Sequence, residues 1–173
     1  MAVINIAFTS PINAPDASPI LTQEQVWTGL KRKVRRAYEF VPVITACEVI
    51  SEEGPEDGYK VVRRATFAPG IREVDTAVET CIHYPPNRVD FHQEDGSHVA
   101  NIVSKGPDGE LLMTYSFGWR HPDIAQDSEE AHKIEENYWK VRRRAAMRKH
   151  SVSYTYMMYY VRCANNPIDR CPR

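Results

Sequence analysis

Between residues 43 and 120 the chain alternates apolar and polar positions in short runs. The runs fall at about 43–52, 58–68, 72–84, 87–93, 97–105 and 110–120, separated by "EEGPEDG", "APG", "PPN", "EDG" and "GPDG". Runs this close together, divided by turn residues, predict antiparallel hairpins rather than strand–helix–strand crossovers. A short strand over 2–8 precedes them. Thr22 with Gln25 three residues on forms a capping box that opens a helix over 23–40. Val26, Trp27, Leu30, Val34 and Tyr38 share one face of that helix, the other carries Lys31, Arg32, Lys33, Arg35 and Arg36, and Pro42 closes it. Asp127 with Glu130 makes a second capping pair. After it, Ala131, Ile134, Tyr138, Val141, Ala145, Val152, Tyr156, Tyr159 and Cys163 recur in steps of three and four, with Arg148 filling one gap. A continuous helix over that span is about 50 Å long, so a kink near "RKHS" or an overhanging end is expected. A partner helix on the same seam is the alternative, which leaves a homodimer open.

Turn chemistry assigns faces to the strands. "GPDG" as a type I turn with a glycine bulge sets Val103 opposite Met113, Asn101 opposite Tyr115 and Val99 opposite Phe117. "QEDGS" treated alike sets Phe91 opposite Val99 and Val89 opposite Asn101. Both hairpins gather their apolar residues on one face, as a register fixed by burial requires. That face holds Val89, Phe91, Val99, Val103, Met113, Tyr115, Phe117 and Trp119. Extending the alternation adds Val74, Val78 and Ile82 with Thr76 and Thr80 between them, and Tyr59, Val61, Ala65 and Phe67 with Arg63 among them, a one-residue slip of that strand exchanging Arg63 for Arg64. The polar members are then Arg63, Thr76, Thr80, Asn101 and Tyr115. Either they satisfy one another, or they line a cavity and meet a ligand.

Composition narrows the class. The 173 residues, 42% hydrophobic and 26% charged, suit one domain over 1–173, with 163–173 as an irregular tail. A net charge of −1 draws the chain toward neither nucleic acid nor an anionic membrane. No apolar run reaches membrane-span length, and "MAVINIAFTS" lacks the features of a signal peptide, so a cytoplasmic protein with reduced cysteines is expected. The basic runs "KRKVRR" and "KVRRRAAMRK" sit on helices with apolar opposite sides and read as solvated faces. His92 and His98 fall opposite each other but on the polar face, and His83, His121, His132 and His150 show no ligand spacing, so no metal site is expected. The chain contains no nucleotide-binding loop, no GxSxG and no HExxH, and no cofactor is expected.

The order strand, helix, six strands, long helix resembles the helix-grip fold of the SRPBCC or START-like superfamily, which includes the birch-pollen-allergen type. The stretches "LTQEQVWTGLKRKVR", "FVPVITACEVISEE", "PPNRVDFHQEDGSHVANIVS", "DGELLMTYSFGWRHPD" and "SEEAHKIEENYWK" are similar to an AtaL-like subfamily found in fungal secondary-metabolite clusters of the acetylaranotin kind. The resemblance spans about residues 3–163. It implies an α+β fold in which a curved antiparallel sheet of about seven strands wraps a long C-terminal helix around a hydrophobic cavity. Superfamily members bind lipids, sterols, polyketides or plant hormones, and some cyclise, dehydrate or isomerise them. They share no catalytic residue set. Relatives often carry an acidic residue where this chain has Gly118, a change that widens one sheet position.

On this reading the protein binds a hydrophobic, partly oxygenated small molecule of secondary metabolism and catalyses a cofactor-independent cyclisation, isomerisation or dehydration. A non-catalytic carrier is the alternative. The candidate catalytic set is Arg63, Asn101, Tyr115, Tyr156 and Tyr159, with Arg63 holding an anion and a tyrosine acting as acid. The candidate ligand-binding set is Thr76, Thr80, Val89, Phe91, Met113, Phe117, Trp119 and Val152. The segment "SVSYTYMMYYVRC" sends Val152, Tyr156, Tyr159 and Cys163 inward on this repeat.

Overall fold

A computed structural model describes residues 1–15, 17–70 and 74–147, with the side chains of its last helix described as far as Trp139. Seven strands form one curved antiparallel sheet: β1 (Ala2–Pro11), β2 (Ile44–Glu53), β3 (Lys60–Phe67), β4 (Thr76–Tyr84), β5 (Arg88–Gln93), β6 (His98–Lys105) and β7 (Leu111–His121). Their order is β1-β7-β6-β5-β4-β3-β2, so β2 to β7 form a meander of hairpins and β1 closes onto β7. Two helices, α1 (Gln23–Arg35) and α2 (Glu129–Met147), complete a helix-grip fold. Among the described residues no helix is long and apolar enough to cross a membrane. The expected kink, the irregular tail, Val152, Tyr156 and Tyr159 all lie outside the described residues.

The expected capping box starts α1. Gln25 N donates to Thr22 Oγ1 at 3.3 Å, and Thr22 N donates to the Gln25 side chain at 2.9 Å. Val26, Trp27, Leu30 and Val34 on its apolar face pack onto Val61, Cys81, Val89, Phe91, Val103 and Met113 of the sheet. The helix stops at Arg35 rather than running to residue 40: Arg36 leaves helical geometry, and a 3-10 turn follows at Ala37–Glu39. At the far end of the same face, Ile134 and Tyr138 of α2 pack on Ile4, Ile6, Phe117 and Trp119. Ser128, rather than Asp127, caps α2, its hydroxyl accepting from Ala131 N at 3.1 Å.

The hairpin registers fall as the turns predict. Val103 faces Met113, Asn101 faces Tyr115 and Val99 faces Phe117, while Phe91 faces Val99 and Val89 faces Asn101. On β4 the expected parity is wrong by one residue. Arg63 lies opposite Glu79, Val61 opposite Cys81 and His83 opposite Val89, so Glu79, Cys81 and His83 point inward. Thr76, Val78, Thr80 and Ile82 belong to the outer face, where Thr80 is flanked by Val62 and His92. The apolar character of Val78 and Ile82 misdirects the pattern, whereas the three-residue link 85–87 between the paired Tyr84 and Arg88 fixes it. Gly118 is likewise on the outer face, opposite His98, whose ring fills the space a Cβ would need. Its missing side chain therefore leaves the inner face unchanged.

Arg63 joins the helix to the sheet. It is 3% exposed. Its Nε and Nη2 donate to Glu79 Oε2 at 2.8 and 2.6 Å, and its Nη1 donates to the carbonyls of Val34 and Lys33 at 2.7 and 2.9 Å. Glu79 is 5% exposed and accepts from Gln93 Nε2 through its other oxygen at 3.0 Å. A cation thus sits against the negative end of the α1 dipole and is neutralised by one carboxylate.

Breaking a buried pair from one side leaves an uncompensated charge and costs about 3–5 kcal/mol. Chemical denaturation of Arg63→Met and of Glu79→Gln should each show a loss of that size. The double variant Arg63→Met/Glu79→Gln should lose less than the sum of the two single losses, and strict additivity would disprove the coupling. Cys81, beside this pair, has its thiol pushed up to about 12, mainly by burial. In folded protein at pH 8 it should resist iodoacetamide and be labelled after unfolding, as peptide mass spectrometry will show.

Candidate functional site

The inner face is organised in rows that cross the strands. A central row runs Val61, Cys81, Phe91, Val99, Phe117, Ile6 and is apolar throughout. One step along the strands to one side lies the row His83, Val89, Asn101, Tyr115, Phe8. One step to the other side lie Arg63, Glu79 and Gln93, with Trp119 two residues beyond Phe117 on β7. The flanking rows are four residues apart along each strand, about 13 Å. Strong alternation of apolar residues on β5 to β7 builds the central row. Occasional polar residues of the same parity build the flanks.

Asn101 is the unusual member. It is 1% exposed, and among the described residues neither its amide oxygen nor its amide nitrogen has a hydrogen-bond partner. It lies between the cluster beneath α1 and the cluster beneath α2, beside Val99 and Tyr115, which pack against both. An unmet buried polar group costs about 1–3 kcal/mol. An amide with both ends free offers one donor and one acceptor side by side, matching a molecule with an adjacent acceptor and donor.

Among the described residues three further groups on this face are unmet: Gln93 Oε1, Trp119 Nε1 and His83 Nε2. His83 is 3% exposed. Its Nδ1 lies 2.9 Å from the Tyr59 carbonyl, which also accepts the backbone N–H of His83 at 2.9 Å. A carbonyl can only accept, so the proton of neutral His83 is on Nδ1 and Nε2 carries a lone pair. The rings of Trp27 and Tyr59 stand edge-on to it at 5.9 and 6.0 Å. Burial is the main cause that pushes the imidazole below its ordinary value, toward the neutral form.

The expected residues divide by location. Asn101 and Tyr115 are neighbours in one row. Val89, Phe91 and Met113 are buried in the core beneath α1, and Phe117 and Trp119 belong to the cluster beneath α2. Phe8 stacks on Tyr115 at 5.0 Å and lies 6.2 Å from Phe117, whose ring is 5.7 Å from that of Trp119. Arg63 directs four N–H bonds into its own fold, a docking geometry in place of the expected anion-holding one. Thr76 and Thr80, on the outer face, are not part of the cluster. Sequence reasoning missed His83, Glu79 and Gln93. Counting back across "YPPNR" would have placed His83 opposite Val89, and Gln93 shares the parity of Phe91. Among the described residues no group of three His, Cys, Asp or Glu comes together to hold a metal.

The architecture has known counterparts. The di-domain ARO/CYC StfQ from the steffimycin biosynthetic pathway superposes with a TM-score of 0.63 at 10% identity, covering 92% of this chain and 52% of that one. This chain therefore spans about half the length of that di-domain protein. The Zhui aromatase/cyclase from Streptomyces sp. R1128 gives a TM-score of 0.59 at 17% identity, with 94% of this chain and 98% of that one covered. At such identities the likeness establishes the fold. Acetylaranotin biosynthesis cluster protein L of Aspergillus terreus is 28% identical over 134 residues, 78% of this chain and 77% of that protein. The family described as AtaL, acetylaranotin biosynthesis cluster protein L, matches residues 6–159, and the chain belongs to that family.

Proposed function

We propose that the protein acts in the biosynthesis of a secondary metabolite, binding a hydrophobic oxygenated intermediate on the inner face of its sheet and promoting a cofactor-independent cyclisation, isomerisation or dehydration. The observation that carries this reading is the buried Asn101 amide with both ends unmet. A side chain kept in that state lowers the stability of the empty protein, and a bound carbonyl or hydroxyl would remove the cost. Its place between two apolar clusters supports a ligand that is largely apolar with oxygens at its edges. Membership of a biosynthesis-cluster family and a fold shared with aromatase/cyclases support the class of chemistry. Tyr115, next to Asn101, is placed to donate or accept a hydrogen bond at the same ligand edge.

A bicyclic ketone, 2-tetralone, is a suitable probe because it joins an aromatic face to one carbonyl. Quenching of the protein's tryptophans should report its binding. Asn101→Leu, nearly isosteric and free of unmet groups, should raise unfolding stability by about 1–3 kcal/mol and weaken 2-tetralone binding by roughly tenfold or more. A destabilised Asn101→Leu protein, or one that binds the probe as wild type does, would refute the assignment. Incubation with extract of a producing culture, followed by mass spectrometry, separates enzyme from carrier: a new product marks catalysis, and a ligand recovered unchanged marks carriage.

A further inference from the structure

We propose that His83 is the proton acceptor of the site, its Nε2 removing a proton from the carbon beside a ligand carbonyl that Asn101 holds. The inference deepens the reading above and rests on it. Three independent features of the geometry lead to it. The first is tautomer: two donors of His83 converge on one carbonyl, Tyr59 O, which fixes the ring and leaves Nε2 as the free basic atom. The second is isolation, because Nε2 is buried with no hydrogen-bond partner among the described residues. The third is placement. His83 and Asn101 stand in the same cross-strand row on the same face, with Val89 between them. Two strand spacings separate their backbones by about 10 Å.

The step balances without a cofactor. The Nε2 lone pair takes the proton, the C–H electrons move into the carbon–carbon bond, and the carbonyl oxygen becomes an enolate. Asn101 Nδ2–H donates to that oxygen as its charge develops. The imidazolium then returns the proton, either to a different carbon, which completes an isomerisation, or to a leaving hydroxyl, which departs as water. The lowered basicity of His83 keeps it in the neutral, proton-accepting form at neutral pH. The groups facing it are Tyr59, Arg35 and Lys31 of α1, and Glu52 of β2. Burial and the two cations oppose its charging, while the Tyr59 carbonyl and Glu52 favour it less strongly.

The test follows hydrogen–deuterium exchange at C1 of 2-tetralone in D2O by proton NMR. Wild-type protein should accelerate exchange above buffer. His83→Asn, whose amide can still donate to Tyr59 O, should lose roughly 100-fold of that acceleration while tryptophan quenching shows affinity within about threefold. Binding without accelerated exchange in the wild type, or exchange undiminished in His83→Asn, overturns the proposal and leaves the binding reading standing. No binding of 2-tetralone by the wild type removes both. A measurement independent of the variant's folding is the 15N spectrum of His83. A protonated Nδ1 and bare Nε2, persisting as pH falls below about 6.5, support the assignment. A proton on Nε2 at neutral pH overturns it.

Discussion

The guanidinium of Arg63, shared between Glu79 and the last carbonyls of α1, is the interaction on which the rest of the inner face depends. Thr22 and Gln25 fix where α1 begins, and Arg63 fixes where its other end rests. With both ends set, Trp27 falls beside His83, and Leu30 and Val34 fall on the sheet core. Glu79, held by Arg63 on one oxygen, orients Gln93 with the other and leaves Gln93 Oε1 unmet. A second tie, Arg35 to Glu52 at 2.8 Å with the Tyr59 hydroxyl donating to the same carboxylate at 3.0 Å, is more exposed and contributes less energy. Its value is positional, because Tyr59 supplies the carbonyl that orients His83.

Polar groups on this face fall into two kinds, separated by satisfaction rather than by residue type. Arg63 and Glu79 carry full charges and look, by chemistry alone, like ligand-binding groups. Yet Arg63 directs four of its N–H bonds into the fold, and both oxygens of Glu79 accept from within it. Asn101, uncharged and chemically modest, has no such bonds. A low-dielectric interior makes each unmet group costly, so the groups left unmet mark where the fold tolerates instability in favour of binding. On that criterion the proposed site moves away from the arginine and toward the row holding Asn101 and His83.

Much of this was legible in the sequence. Turns with defined geometry, "GPDG" and "QEDGS", fixed three strands and placed Asn101 beside Tyr115, because a hairpin register and an apolar face constrain each other. The capping box located the start of α1 for the same reason: two side chains satisfy two backbone groups at one spacing. The end of α1 was hidden, since it is set by Arg63, 28 residues beyond Arg35 in sequence. β4 misled because each of its faces mixes apolar and polar residues, so alternation gives no decisive parity. Only the link to β5 decides it, and that slip of one residue exchanged Ile82 for His83.

The same slip explains why the base was harder to recognise than the amide. Asn101 lies on a strand whose other inward residues, Val99 and Val103, are unambiguous, so a polar residue of that parity stands out. His83 lies among Glu79 and Cys81, a trio that by composition suits a solvent face. Burying it requires that the carboxylate be answered by a cation and that the thiol remain protonated. Arg63 meets the first condition, and the rise of the Cys81 thiol to about 12 meets the second. The ion pair that docks α1 is therefore also what lets β4 turn its polar edge inward. Without Arg63 opposite Glu79, Ile82 would be the better inward residue, and His83 would face water as an ordinary surface imidazole.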